Sequence, residues 1–253
     1  MDELKEKLTA FYNKFNEDKR LDTRHGQVEF LTSVKYLHEY LRPGDKICDI
    51  GAGPGKYSLF LKEEGYDVTA VELVRPNIGM LRAKDPEIRI IEANATDLSM
   101  LKDDEFDVVI MFGPMYHIYD KEDRIRALKE AKRICKRTLF VTYIMNEYAV
   151  IEHAFKDGHY KEVKDKLTDD YKIDDPDALF IQTRIEEIDE LNEICGLKLI
   201  KRFAADGPTD YMRSTINNMD EETFAAFLNF HMKTCERKEL LGASSHVTDI
   251  LTK

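Results

Sequence analysis

The chain has 253 residues, 43% of them hydrophobic and 34% charged, and a formal net charge of −11. It is long enough to bury one sizeable core and too acidic for a general attraction to nucleic-acid phosphates. It also lacks any apolar run near the roughly 20 residues that a membrane-crossing helix needs. The four cysteines, Cys48, Cys135, Cys195 and Cys235, show no C-x-x-C spacing, which argues against a zinc ribbon, a redox pair or a disulfide framework. The amino terminus, MDELKEKLTA, lacks the basic-then-apolar layout of a secretion signal, so a cytoplasmic location is the expectation.

In chain order, positions 3–18 and 27–41 read as amphipathic helices, the second carrying Val28, Leu31, Val34, Leu37, His38 and Leu41 at three- and four-residue steps. RPGD at 42–45 stops it. Short β-rich runs then alternate with helical stretches. Strands are expected at 46–50, 67–73, 87–93, 106–112 and 138–144, with helices near 56–64, 76–84 and 121–134. This rhythm implies a parallel sheet with helices on both faces. It breaks after Met145, and the charged segment 147–180, turn-rich around Pro176, suits an inserted helical lid. A helix at 184–195 stopped by Gly196, a strand at 197–205, a helix at 220–237 and a terminal strand at 244–253 complete the chain.

The run KICDIGAGPGKYS (46–58) leads a strand through three glycines into a helix. Such a turn sets bare backbone N–H groups and a helix amino terminus beside a ligand at the carboxyl edge of the sheet. A dinucleotide fingerprint requires G-x-G-x-x-G, but Lys56 stands where the third glycine would fall, which disfavours a nicotinamide dehydrogenase.

Asp49-x-Gly51-x-Gly53-x-Gly55 resembles motif I of the class I S-adenosylmethionine-dependent methyltransferases. The likeness continues through Glu72, through EANATDL (92–98) and through FDVVIMFGPMYHI (106–118), then Asp123-Arg124 and Ala127-Leu128. These last stretches are similar to a subgroup with a Gly-Pro-Leu-Tyr-His-Leu loop after the fourth strand. The resemblance covers about 45–145 well, the terminal strand moderately and the insert hardly at all. It implies an α/β, Rossmann-like, seven-stranded sheet, mostly parallel with an antiparallel last strand and a helical lid insert. The expected organisation is a single domain over 1–253, with an N-terminal helical cap (1–42), a cofactor-binding core (43–146), the insert (147–183) and the C-terminal part of the sheet (184–253).

The same resemblance implies S-adenosyl-L-methionine as cofactor, held by Asp49, Gly51, Ala52, Gly53, Gly55, Tyr57, Glu72, Leu73, Asn94, Ala95, Met111 and Phe112. Asp49 is expected near the methionine amino group, Glu72 at the ribose hydroxyls and Asn94 at the adenine. Arg24 and His25, with Tyr12, are expected to close over the cofactor carboxylate. On the acceptor side, His117 is the candidate base and Tyr116 a shaping or catalytic neighbour, because their loop lies at the carboxyl edge of the sheet. Phe155, Tyr160, Tyr171 and Phe180 of the insert are candidates to line an apolar pocket, while His153 and His159 fit a charged lid surface. No metal is expected. The leading expectation is methyl transfer by in-line displacement to a small-molecule acceptor, with no nucleic-acid or membrane partner. Transfer to RNA or protein, and cofactor binding without transfer, are the alternatives.

Overall fold

The structure is a computed structural model describing residues 2–13 and 17–253. Two helices precede the sheet: α1 (Asp2–Tyr12) and α2 (Arg24–Tyr40), joined in part by a 3-10 turn at Glu17–Asp22. The helix expected over 3–18 therefore ends at Tyr12, and its positions 14–16 lie outside the described residues. α2 begins where Thr23 caps it, its side chain accepting from the Gly26 N–H.

The core follows as β1 (Lys46–Ile50), α3 (Lys56–Glu63), β2 (Asp67–Glu72), α4 (Arg75–Lys84), β3 (Arg89–Glu92) and β4 (Phe106–Met111). After it come α5 (Lys121–Ile134) and β5 (Cys135–Met145). β5 starts three residues before the expected strand, because Cys135 already pairs with Phe106. β1 to β5 run parallel in the order β3-β2-β1-β4-β5; the inner strands read as nearly continuous apolar runs, as strands buried on both faces must, while the edge strand β3 is only partly buried.

The insert holds α6 (Asn146–Ala149), a π-helical stretch Val150–Lys156, α7 (Tyr160–Val163) and a 3-10 turn Lys164–Lys166. It returns through β6 (Gln182–Thr183), which pairs with the end of β5 and adds an eighth strand to the expected seven. The segment is less detached than a lid, for Tyr148, Ala149, Val150 and Ala154 are buried. The chain then forms α8 (Ile185–Ile194), β7 (Lys198–Ala204), α9 (Arg213–Asn217), α10 (Glu221–Thr234), α11 (Lys238–Leu241) and β8 (His246–Thr252).

Strand order is β3-β2-β1-β4-β5-β8-β7, with β8 antiparallel to both neighbours. β8 is pinned from both sides of the sheet plane. Arg202 and Asn192 hold the fully buried Asp249, at 2.5 and 2.7 Å, and Thr248 pairs with Thr142 at 2.7 Å. The order reverses between β1 and β4, which opens a crevice at their carboxyl ends. Among the described residues no helix is long and apolar enough to cross a membrane.

Candidate active site at the sheet switch point

The crevice is a cleft of about 1050 Å³ including its open mouth. Its floor is the turn between β1 and α3. Gly51 has φ +74°, and a Cβ there would meet Pro114 Cγ at 2.6 Å, so the loops after β1 and β4 touch only because Gly51 has no side chain. Gly53, at φ +56°, has nothing within 4 Å of where a Cβ would stand, and it lines the cleft. Its N–H donates to Glu72 Oε2 at 2.7 Å, while Val74 N–H donates to Glu72 Oε1 at 2.7 Å. The Glu72 carboxylate is thus clamped at the end of β2 by the backbone on either side of it.

Asp49 is 3% exposed and accepts from the Ser58 hydroxyl at 2.6 Å. Burial pushes its carboxyl up to about 7; the Ser58 bond opposes that and the Glu72 charge reinforces it. Burial also raises Glu72, against the two backbone N–H groups. Two desolvated carboxylates on one cleft, neither of them in a salt bridge among the described residues, are suited to polar and cationic groups of a ligand.

The other end of the cleft is aromatic. His117 caps the short 3-10 turn Pro114–Tyr116 and is half-buried. Its Nδ1 lies 2.9 Å from Leu179 O and its Nε2 3.0 Å from the Tyr12 hydroxyl. Burial pushes the imidazole down to about 4, against the Leu179 bond, so it is neutral at ordinary pH. Phe180 stands 5.0 Å from the His117 ring and 6.1 Å from Tyr116, and Phe11 lies 5.3 Å from Phe180. Tyr116 donates to Phe112 O at 2.8 Å, and its own carbonyl accepts from Ile181 N–H at 2.8 Å. Three distant pieces of chain therefore meet here: α1, the loop after β4 and the end of the insert.

Of the residues singled out from sequence, Asp49, Gly51, Ala52, Gly53, Tyr57, Glu72, Leu73, Asn94, Ala95, Phe112, Tyr116 and His117 all line this cleft. Gly55 does not: at φ +91° it caps α3 and packs on Leu81, where a Cβ would come within 2.3 Å. Met111 is fully buried inside the sheet. Arg24 lies over the Phe224 ring at 5.7 Å, and His25 pairs with Thr23 and Asn217, so neither reaches the cleft. Arg20, in the 3-10 turn that precedes α2, lines it instead. Tyr12 lies in the cleft, with its hydroxyl on His117. Asn94 spends an oxygen lone pair on the Thr96 N–H at 3.1 Å, an Asx turn that sets the loop after β3. Phe155, Tyr160 and Tyr171 do not line this cleft. They stack on one another at the surface, 55%, 39% and 49% exposed, and Phe180 is the one insert aromatic of the four that reaches the site.

Sequence reading missed a charged cluster at the cleft, of which Arg20 and Glu29 line the wall. Arg20 donates to both oxygens of Glu29, at 2.5 and 3.0 Å. His246 lies between Glu29 and Asp206, 3.8 and 2.7 Å away. Burial opposes charge on His246, but Asp206 and then Glu29 carry it up to about 9. Burial also works against Glu29, yet Arg20 and His246 hold it below its ordinary value. The ligand-type atoms of Glu29, Asp206 and His246 lie within 4.8 Å of one another. Arg20, Ser244 and the His246 N–H already occupy these acids, so the group reads as an ion-pair network. No local motif marks it, since its members, Arg20, Glu29, Asp206 and His246, are 9 to 226 positions apart in the chain.

Residues 48–140 match a family model described as a methyltransferase domain. The matched stretch runs from β1 to β5 and so carries the turn and the strand ends that form the cleft. Over 102 residues the chain is 31% identical to the probable tRNA methyltransferase 9B of Bos taurus, covering 40% of this chain and 21% of that protein. Over 128 residues it is 24% identical to the eEF1A lysine and N-terminal methyltransferase homolog of Drosophila melanogaster, 48% of this chain and 19% of that one. The aligned part thus spans about a fifth of the length of these curated relatives. A crystal structure of a SAM dependent methyltransferase from Archaeoglobus fulgidus shares the fold, with TM-score 0.59 at 17% identity over 96% of this chain and 98% of that one.

S-adenosylmethionine is the cofactor that the sequence resemblance implies, and the cleft has a donor set that fits it. The buried Asp49 faces where an ammonium would offset its desolvation, Glu72 offers clamped lone pairs for hydroxyls, and Gly53 leaves the floor open.

Proposed function

We propose that the protein transfers a methyl group from S-adenosylmethionine to a small-molecule acceptor, with His117 on the acceptor side. When bound, the cofactor supplies an electrophilic methyl group on a sulfonium. The chain's residues hold it, exclude water and align the acceptor. The observation that carries this reading is the continuity of one cleft, from the Asp49–Gly53–Glu72 clasp to an aromatic end holding a neutral histidine. That end is walled by Leu8 and Tyr12 of α1, with Phe180 packed against His117, which favours an acceptor small enough to be enclosed.

A second reading, transfer to RNA or protein, is favoured by the relatives described as a tRNA methyltransferase and as a lysine and N-terminal methyltransferase. Tritiated S-adenosylmethionine incubated with a metabolite extract, with total RNA and with protein separates the two. Label in the low-molecular-mass fraction supports the first. Label confined to RNA or to protein replaces it with the second.

A further inference from the structure

The two hydrogen bonds of His117 fix more than its position. Leu179 O is a carbonyl and can only accept, so Nδ1 carries the ring proton. The half-buried ring is held neutral, so Nε2 presents a lone pair, and the Tyr12 hydroxyl is the donor across the 3.0 Å contact. A histidine in this state does not face the cleft with an idle base. Its basic nitrogen is already engaged, and what it modifies is Tyr12, whose oxygen becomes the better acceptor for giving up hydrogen-bond density to Nε2. Both side chains line the cleft, and Phe180, Tyr116 and Phe11 pack around them.

We propose that Tyr12 of α1 is the catalytic residue that contacts the acceptor, with His117 acting through it, and that the acceptor's reacting atom is a nitrogen or oxygen carrying a proton. This rests on the methyl-transfer reading above. The reacting atom uses its lone pair to bond the methyl carbon while the carbon–sulfur pair stays on sulfur. Its proton passes to Tyr12 Oη as the tyrosine's own proton passes to His117 Nε2, leaving an imidazolium that returns the proton to solvent after product leaves. An acceptor reacting at an aliphatic carbon or a thioether sulfur brings no such proton and gains nothing from the pair.

The test combines a spectroscopic and a kinetic arm on the full chain. With 15N-histidine-labelled protein bound to S-adenosylhomocysteine, one imidazole should show a protonated Nδ1 and an unprotonated, hydrogen-bonded Nε2 at pH 7. Tyr12→Phe should move the Nε2 resonance and leave Nδ1 in place. A proton on Nε2, or an Nε2 shift unaffected by Tyr12→Phe, overturns the assignment without any acceptor in hand. In tritium transfer to the metabolite extract, Tyr12→Phe should lower kcat on the order of a hundredfold. Its calorimetric affinity for S-adenosylhomocysteine should stay within threefold, which excludes collapse of the cofactor site. Wild-type kcat in Tyr12→Phe, or label on carbon or a sulfonium in the product, overturns the relay. If wild-type protein fails to bind S-adenosylhomocysteine, the methyl-transfer reading fails with it. Binding with an unaffected Tyr12→Phe sinks the relay alone.

Discussion

Asp49 is held in the fold at odds with its own ionisation. Its pKa is raised from the ordinary carboxylate range to about 7 by burial, so the folded protein binds its proton more tightly than the unfolded chain does. The associated stability is present below pH 4 and is lost as pH rises through 7. Asp49→Asn should therefore raise the melting temperature of the ligand-free protein above pH 7, by an amount corresponding to on the order of 1–4 kcal/mol. The same variant should weaken S-adenosylhomocysteine binding, by about 1–3 kcal/mol in calorimetry, by removing the acid that faces the ammonium. A variant that gains stability and keeps affinity would separate the fold's burden from any ligand contact. His117→Ala belongs to the same scale: cofactor affinity within threefold of wild type, turnover depressed about a hundredfold or more. At this scale the sequence was informative where chemistry is local. The Asp49–Gly53 turn and Glu72 announce themselves by spacing along one strand and its neighbour. Arg20 could not be told from Arg24, because four positions of helix-rich sequence carry no record of which guanidinium finds Glu29.

Element boundaries in the alternating core followed from apolar runs and turn residues, since parallel strands buried on both faces have an unbroken β signature. The insert resisted, because a solvent-facing aromatic and a pocket-facing aromatic look alike in a charged helical segment. Phe155, Tyr160 and Tyr171 stack outside; Phe180 turns in because Ile181 is bonded to the Tyr116 carbonyl just beyond it. Phe155→Ala should accordingly leave S-adenosylhomocysteine affinity unchanged and stability within about 0.5 kcal/mol, measured by calorimetry and thermal melts. Gly51→Ala should behave differently, because a methyl there drives the turn after β1 against Pro114 in a backbone conformation that alanine rarely adopts. A loss of about 1–3 kcal/mol in stability, with weaker cofactor binding, is the expected result.

For the whole molecule, the sheet's reversal between β1 and β4 decides where the cleft forms, and the antiparallel β8 decides what stands behind it. β8 brings His246 beside Glu29 of α2 and Asp206 from the loop after β7, joining the N-terminal helices to the far side of the sheet. His246 is raised to about 9, so its contribution is fully present below its unfolded value near 6.5 and drains away as pH climbs through 9. Chemical-denaturation midpoints should fall between pH 7 and 10, and His246→Gln should flatten that slope while lowering stability at pH 7. A slope that survives the substitution would place the alkaline sensitivity elsewhere. This network was illegible in sequence for a plain reason: its members come from two helix regions, a loop and the last strand, and only the closed sheet makes them neighbours.

Leu179 and Ile181 lend a carbonyl and an amide to His117 and Tyr116, so the end of the insert is structural to the histidine rather than an exchangeable cassette. Chimeras that import a relative's loop up to residue 177 retain the native stitching and keep a correctly oriented imidazole. On the proposed function, those that import through residue 181 should alter acceptor choice and proton handling together, since both meet at this stitch.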